Sequence, residues 1–318
     1  MKIFFALMKP SIFVGGQAVI EGVMMRVPGA YATAVRDPEG IIRINRHDYQ
    51  SLAERSRIWK LPVLRGIAGL FEALKIGMAT LQWSAGIAAP KSGEAKPAKA
   101  TEYISTLLAL ALAVTLFMLA PIWITTRIFD IEKEALIFNL VSGLFRITFF
   151  ILYLFLISLM QDVKRLFQYH GAEHRVIYNF ESGKDMSIAT AQSFPTEHPR
   201  CGTSFLFVVL ISAILVFAVI DMVIINTLGF ISIPIRMGFH LCLMPLVAGL
   251  SFEFIKISAR NGKNIIFRIL RAPGLWLQKI TTKPPDDEMV EVAMAALEAA
   301  FGNKYTEMVG KEYVADAI

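Results

Sequence analysis

Five consecutive residues, His170-Gly171-Ala172-Glu173-His174, carry the side chains that metal-assisted hydrolysis uses. On a helix, positions four apart stack one turn above the other. His170 and His174 therefore present both imidazoles to one ion, with Glu173 on nearly the same face. H-x-x-E-H is the order of the inverted zincins, in which the glutamate is the general base toward water. Two ligands do not hold zinc, and Glu197-His198-Pro199-Arg200-Cys201-Gly202 supplies candidates for a third. If His198 completes the set, three histidines leave an open position and the site is catalytic. If His198 and Cys201 both bind, the closed set of four is structural. Glu197 and Glu253 are further candidates, Glu253 competing with a role as a partner of Lys256. Arg200 is placed to stabilise a developing oxyanion.

The elements that must position these groups are mostly apolar. The chain has 318 residues, 55% hydrophobic and 18% charged, against roughly 25% charged in an average soluble domain. Its mean hydropathy is +0.54. A disordered chain is excluded and a purely soluble one disfavoured. Spans of about 20 apolar residues are predicted over Ile104–Ile124, Phe138–Met160, Phe205–Ile225 and Pro234–Ile255. Leu61–Trp83 carries Arg65, Glu72 and Lys75 and reads as an interfacial or partly re-entrant amphipathic helix.

The net charge of +6 suits either nucleic acid or membrane orientation, and position decides between them. Fourteen Lys and Arg precede Ile104, five lie in Gln161–Ser204 and nine follow from Lys256. The opposite side holds two in Thr125–Ile137 and none in Asn226–Ile233. Both termini and the central loop are thus expected in the cytoplasm, in a multi-pass inner-membrane protein whose partner is the lipid bilayer, with no nucleic acid. Two cysteines make no disulfide framework, and the short apolar start Ile3–Met8, followed at once by Lys9 and Pro10, has no cleavage pattern of a signal peptide. The oligomeric state is left open.

The expected fold class is an α-helical integral membrane protein with four transmembrane helices, a small N-terminal β-hairpin element and cytoplasmic amphipathic helices. The hairpin joins Tyr31–Val35 to Ile41–Ile44 through Asp37-Pro38-Glu39-Gly40. Before it, Gly15 to Arg26 (GGQAVIEGVMMR) matches neither phosphate-binding glycine pattern. That run reads as a tight strand or turn near the membrane, or as a functional use of Gln17, Glu21 or Arg26. Pro90–Ala100 reads as a solvated linker, Met289–Phe301 as a capped amphipathic helix and Trp276 as an interface anchor. At 1.5 Å per residue, Arg146, Asp221 and His240 fall roughly 22, 26 and 24 Å above the cytoplasmic boundary, which suggests either a shared cluster or snorkelling to the outer interface. His240 is then too far away to share a cytoplasmic metal.

The chain resembles the YqhQ-like family of uncharacterised bacterial membrane proteins, described as predicted metal-dependent enzymes. The similarity is carried by the Gly15 to Arg26 run, by Tyr169-His170-Gly171-Ala172-Glu173-His174, by His198-Pro199-Arg200-Cys201-Gly202-Thr203-Ser204-Phe205 and by Ala272-Pro273-Gly274-Leu275-Trp276-Leu277. It covers most of the chain and supports the histidines and Cys201 as family features without naming a substrate. The expected function is a membrane hydrolase holding a divalent metal, zinc by its ligands, through His170, His174 and His198, with Glu173 as base. Its substrate would be a membrane protein segment or a lipid-linked amide or ester. The alternatives are a non-enzymatic scaffold or assembly factor with a structural His-Cys site, and a transporter built on Arg146, Asp221 and His240.

Overall fold

A computed structural model describes residues 11–89, 99–260 and 264–315. The short apolar start and most of the Pro90–Ala100 stretch lie outside them; Lys99 and Ala100 already belong to a helix.

A four-stranded antiparallel sheet opens the chain: β2 (Gly15–Val19), β3 (Gly22–Val27), β4 (Ala30–Arg36) and β5 (Ile42–Asp48), neighbours in sequence order. A two-residue strand, β1 (Ser11–Ile12), runs parallel to β6 (Val314–Ala315) near the other end of the chain. The expected hairpin is the β4–β5 half of this sheet. In its turn, Asp37 Oδ1 accepts the N–H of Glu39 at 3.0 Å and of Ile41 at 2.9 Å, and Gly40 takes φ +83°.

The glycine-rich run forms the other half, β2 and β3, paired from Gly15 with Arg26 to Val19 with Gly22. Ile20 and Glu21 make the turn, with Glu21 at φ +52°. Glutamate is a poor resident of that region of backbone space, and its side chain explains the position. The carboxylate pairs with Arg165 and accepts from the Tyr169 hydroxyl at 3.2 Å.

After the capped turn α1 (Leu52–Arg55), helix α2 (Leu64–Ala88) occupies the stretch expected at the interface. It is not among the helices long and apolar enough to cross a membrane. Four are: α3 (Tyr103–Ile128), α4 (Ala135–Ser158), α7 (Gly202–Leu228) and α8 (Ile233–Arg260). Between the two pairs lie α5 (Gln161–Glu181) and the short α6 (Ile188–Gln192); after them come α9 (Ile265–Thr281), α10 (Asp287–Phe301) and α11 (Tyr305–Met308).

The sheet is sandwiched. α10 and α5 pack on one side, and α2 reaches β2 and β4. Strand β3 is accordingly buried at nearly every residue instead of at alternate ones. Val23, Met25, Ala32, Val176, Phe180, Val290, Ala293 and Leu297 share one core. Helix α10 begins where its acidic residues predict, with Asp286 capping the Met289 N–H at 2.8 Å, and it is a core helix with eight buried residues.

Helix α2 ties this layer to the apolar helices. A Cβ on Gly66 would lie 2.7 Å from the Phe252 Cβ and 3.0 Å from the Gly249 Cα, so α2 and α8 cross nearly backbone to backbone. Arg65 grips Glu253 beside that crossing. Further along α2, Arg26 reaches the buried Glu72 at 3.2 Å and the Ile20 N–H reaches Ser84 at 3.2 Å.

Among the apolar helices, α4, α7 and α8 pack side by side, with α9 against α7 and α4. Leu107, Leu108 and Leu112 of α3, Leu144 and Phe155 of α4 and Leu215 and Val223 of α7 remain exposed, a surface suited to lipid. Trp276 of α9 is 66% exposed. Inside, Asp221 meets His240 at 2.8 Å, Arg236 at 2.9 Å and the Asn139 amide at 2.6 Å. Arg146 is buried nearby without bonding Asp221; it faces the Phe217 ring at 5.5 Å.

Candidate metal centre

The H-x-x-E-H segment lies in the second half of α5, so the expected helical spacing is realised and the two imidazoles stack with ring centres 4.4 Å apart. Cys201 is the N-cap of α7, and its sulfur accepts the Thr203 N–H at 3.4 Å. The loop between α6 and α7 brings that cap against α5. His170 Nε2 lies 3.1 Å from Cys201 Sγ, and the ligand atoms of His170, His174 and Cys201 all fall within 4.8 Å of one another. Among the described residues this is the one group of three or more such side chains close enough to share an ion.

Both histidines are aimed by their second nitrogen. His170 Nδ1 donates to the Thr281 carbonyl at 2.8 Å and His174 Nδ1 donates to the Thr196 carbonyl. With the proton on Nδ1, each Nε2 lone pair faces Cys201, the tautomer a metal requires. Gly171 makes the first of these bonds available. A Cβ there would run into the Lys283 carbonyl, and the Lys283 N–H bonds the Phe167 carbonyl at 2.9 Å, so the chain after α9 lies directly against α5.

Glu173 is buried beside the two histidines, and its Oε2 has no hydrogen-bond partner among the described residues. Gly16 of β2 lies against it: a Cβ would stand 3.0 Å from the Glu173 Cγ and Cδ. Burial pushes the Glu173 carboxyl up to about 8, against the pull of the nearby His170. Burial likewise holds His174 and His198 below the ordinary histidine value. It also raises the Cys201 thiol, but the His174 bond and the Thr203 contacts outweigh it and leave the thiol below its usual value.

His198 and Arg200 stand beside this group and belong to a different network. The His198 ring packs 5.5 Å from that of His174 and 4.5 Å from that of Tyr178. Its Nδ1 accepts the Arg200 N–H at 3.3 Å and its Nε2 lies 4.0 Å from Glu181. Gln278 of α9 clamps its backbone from both sides, at 2.7 and 2.9 Å. Arg200 pairs with the buried Glu181. Of the candidates for a third position, Cys201 is the one the structure brings within 4.8 Å of His170 and His174, with His198 packed beside them. Glu253 is taken by Arg65 and the Val63 N–H, and Glu197 faces Arg175.

Sequence reasoning did not find the supporting atoms. The Thr196 and Thr281 carbonyls leave no side-chain signature, although the glycine inside H-G-x-E-H is a trace of the second. Gln17, Glu21 and Arg26 of the glycine-rich run are bracing residues. Gln17 lies against Gly77 of α2, Glu21 holds α5, and Arg26 holds Glu72.

A sheet-backed histidine and cysteine cluster thus lies at the N-terminus of α7, in a mainly helical protein with four helices long and apolar enough to cross a membrane. Residues 61–303 match the family described as "Protein of unknown function (DUF1385)". The chain belongs to that family. It is also 31% identical over 296 residues to "Uncharacterized protein YqhQ" of Bacillus subtilis (strain 168), covering 88% of this chain and 89% of the relative. No solved structure matches.

Proposed function

We propose that the protein is a metal-dependent hydrolase of the inner membrane that works on a peptide segment or a lipid-linked amide or ester at the cytoplasmic face. The observation that carries this reading is the convergence of His170 Nε2, His174 Nε2 and Cys201 Sγ within 4.8 Å beside an uncommitted Glu173 oxygen. The donor set fits zinc: two neutral imidazoles and a thiol, with an open fourth position. A zinc ion held there supplies Lewis-acid chemistry to a carbonyl. The chain's own residues do the rest. In its ionised form Glu173 Oε2 would take the proton of the attacking water and return it to the leaving group. The Thr196 and Thr281 carbonyls keep the imidazoles in register, and the sheet shields the base from bulk water.

The orientation is supported by the basic residues, which crowd the two termini and the loop that carries the site. Cys201 immediately precedes the apolar helix α7, which supports a reacting position near the membrane surface and a membrane-borne substrate. Arg200 is committed to Glu181, so the oxyanion role expected of it is not part of the proposal.

Metal analysis of the purified protein and of a Glu173→Gln variant tests the reading. Both are expected to hold one zinc per chain, and the variant is expected to fail to complement a deletion strain. Wild-type protein without stoichiometric metal, or a Glu173→Gln variant that complements fully, refutes it.

A further inference from the structure

Far from the metal centre, three polar residues line one face of α4: Asn139, Ser142 and Arg146, at helical spacings of three and four. All are buried in the first half of a mainly apolar helix. Asp221 is the acidic group facing Arg146, and its oxygens are already engaged. Oδ1 takes His240 at 2.8 Å; Oδ2 takes the Asn139 amide at 2.6 Å and Arg236 at 2.9 Å. Arg236 is further bonded to the Glu132 carbonyl at 3.1 Å and lies over the Phe138 ring. One carboxylate therefore answers one of two buried guanidinium groups, and Arg146 is the one left over.

Its leftover edge has a definite shape. Arg146 is 5% exposed, and its Nε and Nη2 have no hydrogen-bond partner among the described residues. Those two nitrogens form the parallel N–H pair that accepts an oxyanion side-on. Elsewhere in this chain the same pair does so: Nε and Nη2 of Arg65 hold Glu253, and those of Arg165 hold Glu21. The Phe217 ring contacts the guanidinium 5.5 Å away but offers its edge no acceptor. The Ser142 hydroxyl, one turn before Arg146, is likewise buried without a partner.

We propose that Arg146 and Ser142 form a binding site for a singly charged oxyanion, a carboxylate or phosphate, inside the bundle of α4, α7 and α8. The bound anion neutralises the second guanidinium, its two oxygens meeting Nε and Nη2 while the Ser142 hydroxyl donates to one of them. The site is separate from the metal centre. Asp221 and Cys201 are twenty residues apart on one helix, about 30 Å.

Thermal unfolding of the full chain in detergent, titrated with sodium acetate and with sodium phosphate against sodium chloride at matched ionic strength, reads a free anion. Native mass spectrometry of the freshly purified protein reads a co-purified fatty acid or phospholipid. The expected result is a saturable rise in melting temperature, or a bound lipid, in the wild type and neither in Arg146→Gln. Ser142→Ala is expected to move the acetate or phosphate midpoint at least threefold higher or, in the lipid case, to lower the bound fraction. A response from acetate or phosphate identifies a soluble source and a retained lipid a membrane one. Wild-type protein with neither response overturns the proposal, as does an Arg146→Gln variant that behaves like the wild type. Should Arg146→Gln not fold, an unchanged Ser142→Ala response overturns it.

Discussion

Replacing Cys201 and His198 in turn, each by alanine, separates the proposed ligand set His170, His174 and Cys201 from the set of three histidines that the sequence suggests. A four-ligand structural zinc site is worth roughly 10–16 kcal/mol, or about 3 kcal/mol per ligand. Removing a true ligand then weakens zinc binding roughly a hundredfold to a thousandfold. Cys201 is expected to show the full loss, because its sulfur closes the group with His170 Nε2 at 3.1 Å. His198 would have to abandon both its Arg200 N–H and its place beside Glu181 to ligate; its ring packs against His174, and its bond to Cys201, at 3.2 Å, is made by its backbone carbonyl, which alanine keeps. His198→Ala is expected to cost less than about tenfold, below the usual effect of a residue bonded to a ligand. The assay is competition for zinc between the purified, detergent-solubilised protein and a chelating indicator of known affinity, at fixed pH. Equal losses in the two variants, or a larger loss for His198→Ala, would refute the assignment.

Two further outcomes follow from the geometry. Gly66→Ala and Gly69→Ala make the same change three residues apart on α2, yet a Cβ at Gly69 meets nothing within 4 Å. Gly69→Ala is expected to gain up to about 1 kcal/mol from helix propensity, whereas Gly66→Ala adds an overlap costing about 1–3 kcal/mol; melting curves that rank Gly66→Ala as the more stable would contradict the α2–α8 crossing. The second concerns metal-free protein, in which the Glu173 carboxyl keeps its proton up to about 8 while the unfolded chain releases it near 4.5. A raised carboxyl gives stability that is full below 4.5 and lost as pH climbs to 8, so Glu173→Gln should gain on the wild type across that window by a few kcal/mol. Denaturant titrations at pH 5 and pH 8 that show the same difference would exclude such a shift.

Legibility in the sequence tracked how local the determining physics is. The four apolar helices were visible because lipid-length hydrophobicity is a property of each segment alone, and the boundaries moved by only a few residues, as from Ile104–Ile124 to Tyr103–Ile128. The helical face of His170 and His174 was equally local. The β2–β3 hairpin was hidden because its turn contains Ile20 and Glu21, neither a turn former, and Glu21 is held at positive φ by Arg165 and Tyr169, 144 and 148 residues away. The third member of the candidate group was undecidable for a related reason. His198 and Cys201 are three residues apart on a loop held by Gln278 of a distant helix, and both face α5; the packed loop alone shows that Cys201 is the one that reaches His170 and His174. The pairing of Arg236 with Asp221 likewise required the packing of α7 on α8.

Because Cys201 caps α7, the sulfur that completes the metal group and the long apolar helix move as one body. With α7 seated in a bilayer, a piston displacement by a single residue is about 1.5 Å, several times the ~0.2 Å tolerance of a metal-ligand bond. His170 and His174 ride instead on α5, which is anchored to the sheet through Glu21 and Tyr169. In the proposed metal-bound state, a stretched or thinned membrane would draw the thiolate away from the imidazoles while the sheet holds them still.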